Sequence, residues 1–406
     1  MSKADRIYSV EDARYFAKKR LPASIFQYFD GGSGPSVTSR LNEEVFKQVL
    51  LKPLSGVHFP APDISTTVFG HKIDIPIILS SVGALKIGHQ DGELAATRAA
   101  GKFGTIQFLS GVSNTSIEDT MKQATGPVFQ QLYYIGGREA TIPTIERARD
   151  AGAAGLVMIA DSAGPNTGRQ IPTWERAPLP LKLSFIEAFK FFPQFWNKPA
   201  WIWDLVFRGK LQVPPVATAR GADGKPMPFV EAAGAIYGQT PTLEDIPWMR
   251  EIWDAPIIVK GVVSAESARK AVDLGANGII VSNHGGNMLD GTIPTLQALP
   301  EIIEAVGDKV DVVIDGGIRH GTDVVKAMAM GAKAVSIGRA YVFGLLAAGY
   351  PGIERMLDIL TTETRSALTW LGKNSIHDVD PESLVFPKDW LTLSLTELRE
   401  QLRAGS

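Results

Sequence analysis

From residue 75 onward, short runs of aliphatic and β-branched residues alternate with segments whose apolar positions recur every three or four residues. The runs are IPIILSS (75–81), TIQFLS (105–110), VFQQLY (128–133), GLVMIAD (155–161), PIIVKGV (256–262), GIIVSN (278–283), DVVIDGG (311–317) and AVSIGRA (334–340). Each is too short for a helix and almost continuously apolar, as a strand buried on both faces is. Between them lie amphipathic segments such as GELAATRAAGKFG, SAESARKAVDLG and HGTDVVKAMAMG, each ending on a glycine that closes a helix. Strand and helix in alternation predict a parallel sheet. Eight such units are the count of a closed (β/α)8 TIM barrel, over residues 75–345 of a single 1–406 domain. A doubly wound open sheet would carry an early G-x-G-x-x-G turn; the first turn here is SSVGAL.

The rhythm breaks once. An insertion, residues 165–240, separates the fourth and fifth strands and holds Trp196, Trp201 and Trp203. It predicts a helical excursion packed on the barrel or on a second subunit, since aromatic side chains usually pack. An active-site lid and a membrane-surface patch are the sharper readings, the lid being favoured because the insertion leaves from the strand ends. At the N-terminus, Ser9 predicts the cap of a helix over VEDARYFAKKRL, ended by Pro22, and ASIFQYFDGG predicts a second. A helical stretch over 351–371 and the tail DVDPESLVFPKDW follow the barrel.

Composition narrows the chemistry. A net charge of −2 without long charge runs gives no footprint for nucleic acid. With no cysteine, disulfides, thiolate metal sites and cysteine nucleophiles are excluded, which fits a reducing cytoplasm. The first residues lack the apolar core of a signal peptide, and no apolar stretch reaches the length of a membrane span.

Chemistry in such a barrel gathers at the C-terminal ends of the strands. Those ends carry Ser81, Val82 and Gly83, then Ser110, Gln131 and Tyr133, Asp161, Lys260, His284, the Asp315-Gly316-Gly317 turn, and Gly338 with Arg339. Glycines beside arginines after the last two strands predict a phosphate site, since glycine lets backbone N–H groups approach an anion and arginine forks around its oxygens. A histidine with a carboxylate to orient it predicts a general base in His284 and Asp161. The same groups could hold a metal, but His58, His71, His89, His320 and His377 show no ligand spacing, and no metal is expected. Lys260 is either a structural ion pair with Asp161 or Asp290, or a fixed positive charge beside an anion formed in the reaction.

These motifs, IIVKGV, SNHGG with LDG, DGGIR with GTDV, and IGRA, resemble those of the FMN-dependent α-hydroxy-acid oxidase and dehydrogenase family. The resemblance runs from LPASIFQYFDGGSG to the final helices. It implies a TIM barrel that binds FMN and assembles as a homotetramer; the residues leave the final electron acceptor open between oxygen and a redox partner, and the cytoplasmic expectation rests on composition alone. By the same resemblance His284 is the base, Asp161 supports its imidazolium, and Lys260 lies near flavin N1. Tyr133 would bond the substrate hydroxyl and Tyr28 its carboxylate. Ser110, Gln131 and the Ser81–Gly83 backbone would contact the isoalloxazine. Asp315, Gly317, Arg319, Gly338 and Arg339 would hold ribityl and phosphate.

Two positions depart from that pattern. Asn287 stands where the family has the arginine that pairs with the substrate carboxylate, and Arg169 is the nearest counterpart of a second family arginine. Ile159, where threonine is frequent, is a smaller change. An asparagine both donates and accepts, which suits an amide, lactam or ester. The HGGN-x-LDGT version and the Trp-rich insertion resemble the branch that holds the mycofactocin-maturation flavoprotein, whose substrate is a peptide-derived amino-lactam. A flavin-using isomerase on a related barrel and a non-catalytic scaffold are the alternative classes.

Overall fold

The computed structural model describes residues 3–162, 164, 196–208, 215–221, 224–236 and 239–387. Eight parallel strands close into a barrel: β1 Ile77–Leu79, β2 Gln107–Leu109, β3 Val128–Leu132, β4 Gly155–Ile159, β5 Ile257–Val262, β6 Gly278–Val281, β7 Asp311–Asp315 and β8 Ala334–Ile337. All eight lie inside the runs read from the apolar pattern. The strands are shorter than the runs because the last residues of several runs leave the ladder to line the rim.

Side chains alternate between two environments, as a pleated strand requires. Ile78, Phe108, Phe129, Val157, Ile159, Ile258, Ile280 and Val313 form the interior cluster, while Ile77, Leu79, Leu109, Leu132, Leu156, Val259 and Ile279 pack outward under the helices. A hairpin, Thr66–Val68 with His71–Ile73, plugs the N-terminal mouth. Its Phe69 ring lies 6.5 Å from Phe108 and 6.0 Å from Phe129, and its backbone N–H donates to Asp311. The interior is therefore filled below, which leaves the opposite mouth for chemistry.

Helix Val10–Arg20 is capped by Ser9, whose hydroxyl accepts from the Asp12 N–H at 3.0 Å. The helices Ala23–Asp30 and Val37–Gln48 follow. The second of these has its first turn held by Asp290, which accepts from Val37 and Thr38 N–H. After the barrel, helix Arg339–Ala348 is buried along most of its length, helix Tyr350–Leu371 buries one face, and Leu384–Val385 pairs antiparallel with Leu50–Leu51.

The described parts of the insertion pack on the barrel. Trp201 is 7% exposed, and its Nε1–H donates to the Ile87 carbonyl at 3.0 Å. Trp196 and Trp203 are instead 73% and 60% exposed, against the expectation that the aromatics of this stretch pack inward. Further on, strands Val216–Arg220 and Pro226–Met227 form a hairpin against the ends of β2 and β3. Val216, Ala219, Met227 and Ala232 bury there with Val112 and Ile135, and Thr218 Oγ1 donates to the Gly111 carbonyl at 2.7 Å. Among the described residues no helix is long and apolar enough to cross a membrane.

Candidate active site

His284 follows β6 in a turn that brings its ring over the barrel mouth. Its Nδ1 lies 2.9 Å from Asp161 Oδ1, and its Nε2 lies 3.3 Å from the Tyr133 hydroxyl. With Nδ1–H donating to the ionised carboxylate, Nε2 carries a lone pair aimed at the mouth. Burial alone would raise the Asp161 carboxyl, but the charge and hydrogen bond of His284 and the charge of Lys260 outweigh it and hold the group below the usual carboxylate value. The close approach depends on Gly261. It has φ +101°, and a Cβ there would sit 2.6 Å from Asp161 Cβ and Cγ.

Lys260 is 3% exposed and points into the barrel end from β5. Its ammonium lies 2.9 Å from Asp315 and donates to Ser282 Oγ at 2.7 Å. The partner is thus neither Asp161 nor Asp290, the two carboxylates expected from the sequence. Asp315 lies inward at the end of β7, while Asp290 is taken up by the helix it caps. Ser282, which the sequence reading passed over, accepts from both Lys260 and the His284 N–H, at 2.7 and 3.1 Å. Its position directly after β6 was the available signal.

Around these lie polar groups with capacity to spare. Ser110 Oγ and the Gly111 N–H both donate to Gln131 Oε1 at 3.3 Å, while Gln131 Nε2 is buried and makes no hydrogen bond with described residues. Asp315 Oδ1 and Asp161 Oδ2 are in the same condition. Buried polar atoms rarely stay unpaired, so three of them at one barrel mouth fit a polar cofactor lying across the strand ends. Ser81, Val82 and Gly83 run half-buried just past β1. Gly316 and Gly317 have φ +90° and +85°, and a Cβ on Gly317 would meet the Asn42 carbonyl oxygen at 1.9 Å. That turn therefore needs glycine for packing as well as for any ligand.

The arginines differ from one another. Arg319 pairs with Glu43 at 2.7 Å. Arg339, adjoining Gly338, donates to the carbonyls of Asp30, Gly285 and Gly31 at 3.2, 2.8 and 2.8 Å. Tyr28 is half-buried, with its ring edge-on to Phe229 of the insertion at 6.0 Å. Asn287 turns its amide back, Nδ2 donating to the His284 carbonyl at 2.8 Å. Arg169 lies outside the described residues. A reciprocal amide pair, Asn42 with Asn283 at 2.8 and 2.9 Å, anchors the base of the His284 turn to helix Val37–Gln48. Nothing local in the sequence marks it.

A family profile described as FMN-dependent dehydrogenase matches residues 17–386. The chain is 42% identical to the pre-mycofactocin synthase of Mycolicibacterium smegmatis, over 94% of each chain. It is 35% identical to an L-lactate dehydrogenase of Caulobacter, over 92% of this chain and 97% of the relative. The crystal structure of a monotopic membrane protein, (S)-mandelate dehydrogenase, superposes with a TM-score of 0.86 at 31% identity, over 94% of this chain and all of that one. With its closed barrel, its buried polar atoms at the mouth that lack partners among the described residues, and a match along nearly its whole length, the chain belongs to the FMN-dependent dehydrogenases and is an FMN-dependent oxidoreductase.

Proposed function

We propose that the enzyme oxidises a C–H bond carrying a hydroxyl or amine beside an uncharged carbonyl of the amide or lactam type, with His284 as the general base. The observation that carries the substrate class is Asn287. Where a carboxylate-binding enzyme needs a cation, this chain has a neutral amide whose Nδ2 is directed into its own turn.

The bound FMN supplies the acceptor for the two electrons. His284 Nε2 takes the proton released from the substrate, and Asp161, 2.9 Å from Nδ1, favours the imidazolium so formed. The Tyr133 hydroxyl, 3.3 Å from that nitrogen, orients the substrate's own hydroxyl or amine. Lys260 keeps a fixed positive charge, steadied by Asp315 and Ser282, beside which negative charge can build. Gln131 Nε2 and Asp315 Oδ1 are two of the buried groups with bonds left to make to the cofactor. Phe229 and Tyr28 give the substrate side an aromatic wall. The higher identity to a pre-mycofactocin synthase than to an L-lactate dehydrogenase, 42% against 35%, supports the amide or lactam class over the free acid.

The test is Asn287→Arg. A charged hydrogen bond is worth about 1.5–3 kcal/mol, roughly 10- to 150-fold, so the ratio of flavin reduction by L-lactate to that by L-lactamide should rise by that order. A ratio, unlike an absolute rate, is insensitive to general losses in the variant. No rise in a variant that still holds flavin contradicts the substrate assignment.

A further inference from the structure

The turn that carries His284 is an improbable backbone. His284, Gly285 and Gly286 have φ of +56°, +61° and +76°, a left-handed run that glycine adopts freely and a non-glycine residue such as His284 only uncommonly. Such a conformation persists only when its surroundings over-determine it.

Each of the three carbonyls in the run has its own holder. His284 O accepts from Asn287 Nδ2 at 2.8 Å and from the Asn287 backbone N–H at 3.2 Å. Gly285 O accepts from Arg339 Nη1 at 2.8 Å. Gly286 O accepts from the Ser33 N–H at 2.7 Å. The same Arg339 side chain donates to Asp30 O and Gly31 O, the last residue and C-cap of the helix that bears Tyr28. One guanidinium therefore bridges the base's turn and the end of the Tyr28 helix.

We propose that Asn287 and Arg339 are positioning residues for His284: Asn287 closes the left-handed turn from within, and Arg339 ties it to the Tyr28 helix. This rests on the reading of His284 as the base, and it gives the two residues work that needs no contact with substrate or phosphate. Removing either side chain takes a hydrogen bond from a carbonyl of the run, leaving His284 O with the backbone N–H of residue 287 alone or Gly285 O without its guanidinium; the backbone then relaxes and the imidazole swings off Asp161.

The Nδ1 proton between His284 and Asp161 reports this directly. In holoenzyme labelled with ring-15N histidine, it should give a far-downfield proton signal that disappears in His284→Ala. In Asn287→Ala, and in Arg339→Lys (Arg339→Gln if the lysine variant is not recovered), exchange of this proton with water should be at least tenfold faster, with flavin still bound. Asn287→Ser, whose hydroxyl can still donate to the His284 carbonyl, should retain slow exchange. Unchanged exchange in Asn287→Ala and the Arg339 variant overturns the proposal, as does a wild-type spectrum with no such proton. The base assignment is judged separately: His284→Ala reduced by L-lactamide at the wild-type rate removes it, whereas a dead His284→Ala with unchanged exchange in Asn287→Ala removes the positioning role alone.

Discussion

Replacing Lys260 by Met separates the two readings of this lysine, structural ion pair and fixed charge for the reaction. The pair is dry: Lys260 and Asp315 are 3% and 6% exposed, and their charged atoms are 2.9 Å apart. Met keeps an unbranched stem of similar volume, so little packing is lost. What is lost is the charge that balances Asp315, whose Oδ1 already lacks a hydrogen bond to described residues. Breaking a buried pair from one side costs about 3–5 kcal/mol, whereas replacing both partners by apolar residues is often neutral or stabilising. Lys260→Met should therefore lose about 3–5 kcal/mol in urea unfolding, measured on apoprotein to keep cofactor linkage out of the comparison. The double variant Lys260→Met/Asp315→Leu should recover most of it, giving a coupling of at least ~2 kcal/mol. Flavin reduction should not recover in the double variant. A single variant as stable as wild type refutes the dry-pair reasoning, and a double variant that regains both stability and rate reduces Lys260 to a structural role.

Two further outcomes follow from the same geometry. Asp161→Asn removes the charged partner of His284 Nδ1, and the loss of about 1.5–3 kcal/mol predicts flavin reduction slowed roughly 10- to 150-fold with flavin content unchanged; a rate within twofold of wild type in anaerobic stopped flow excludes Asp161 as its support. His89 sits with each ring nitrogen 3.7 Å from a carboxylate, Asp91 and Asp204, yet burial, followed by the charge of Arg20, pushes it down to about 4. Because the unfolded histidine binds its proton near pH 6.5 and the folded one only near 4, the stability it contributes is complete above about pH 6.5 and is lost as pH falls towards 4, about 3 kcal/mol in all. Urea unfolding at pH 7 and 4.5 should show that loss in wild type and a smaller one in His89→Gln; equal losses would show that other groups set the acid limit.

The eight strands were legible because both faces of a parallel barrel strand are buried, which writes each as an unbroken apolar run. Their ends were less legible. The runs reach Asp161, Asn283 and Gly317, but the ladders stop at Ile159, Val281 and Asp315, where the chain turns outward with its polar residues. Asp161 beside His284 could be read because each closes a strand. The Lys260 partner could not, since which carboxylate points inward is decided by register and not by sequence distance. Asn42 pairs with Asn283 across 241 positions, and no local pattern announces such a contact. Arg339 follows a glycine at a strand end, as a phosphate ligand would, and no local pattern announces that its side chain also reaches the carbonyls of Asp30, Gly31 and Gly285. The Trp-rich insertion divides: Trp201 packs as aromatic residues usually do, while Trp196 and Trp203 face outward.

The proposed reaction is a His284-driven oxidation of a substrate whose carbonyl is uncharged. Anaerobic mixing of the FMN-loaded enzyme with paired 2-hydroxy acids, their amides and amino-lactams, followed by flavin absorbance, tests it most directly. An amide or lactam should bleach the flavin at least tenfold faster than the matching acid, and His284→Ala should abolish the bleaching. Rapid bleaching by a free 2-hydroxy acid with its amide inert, or turnover of any of these compounds with the flavin left oxidised throughout, would contradict it.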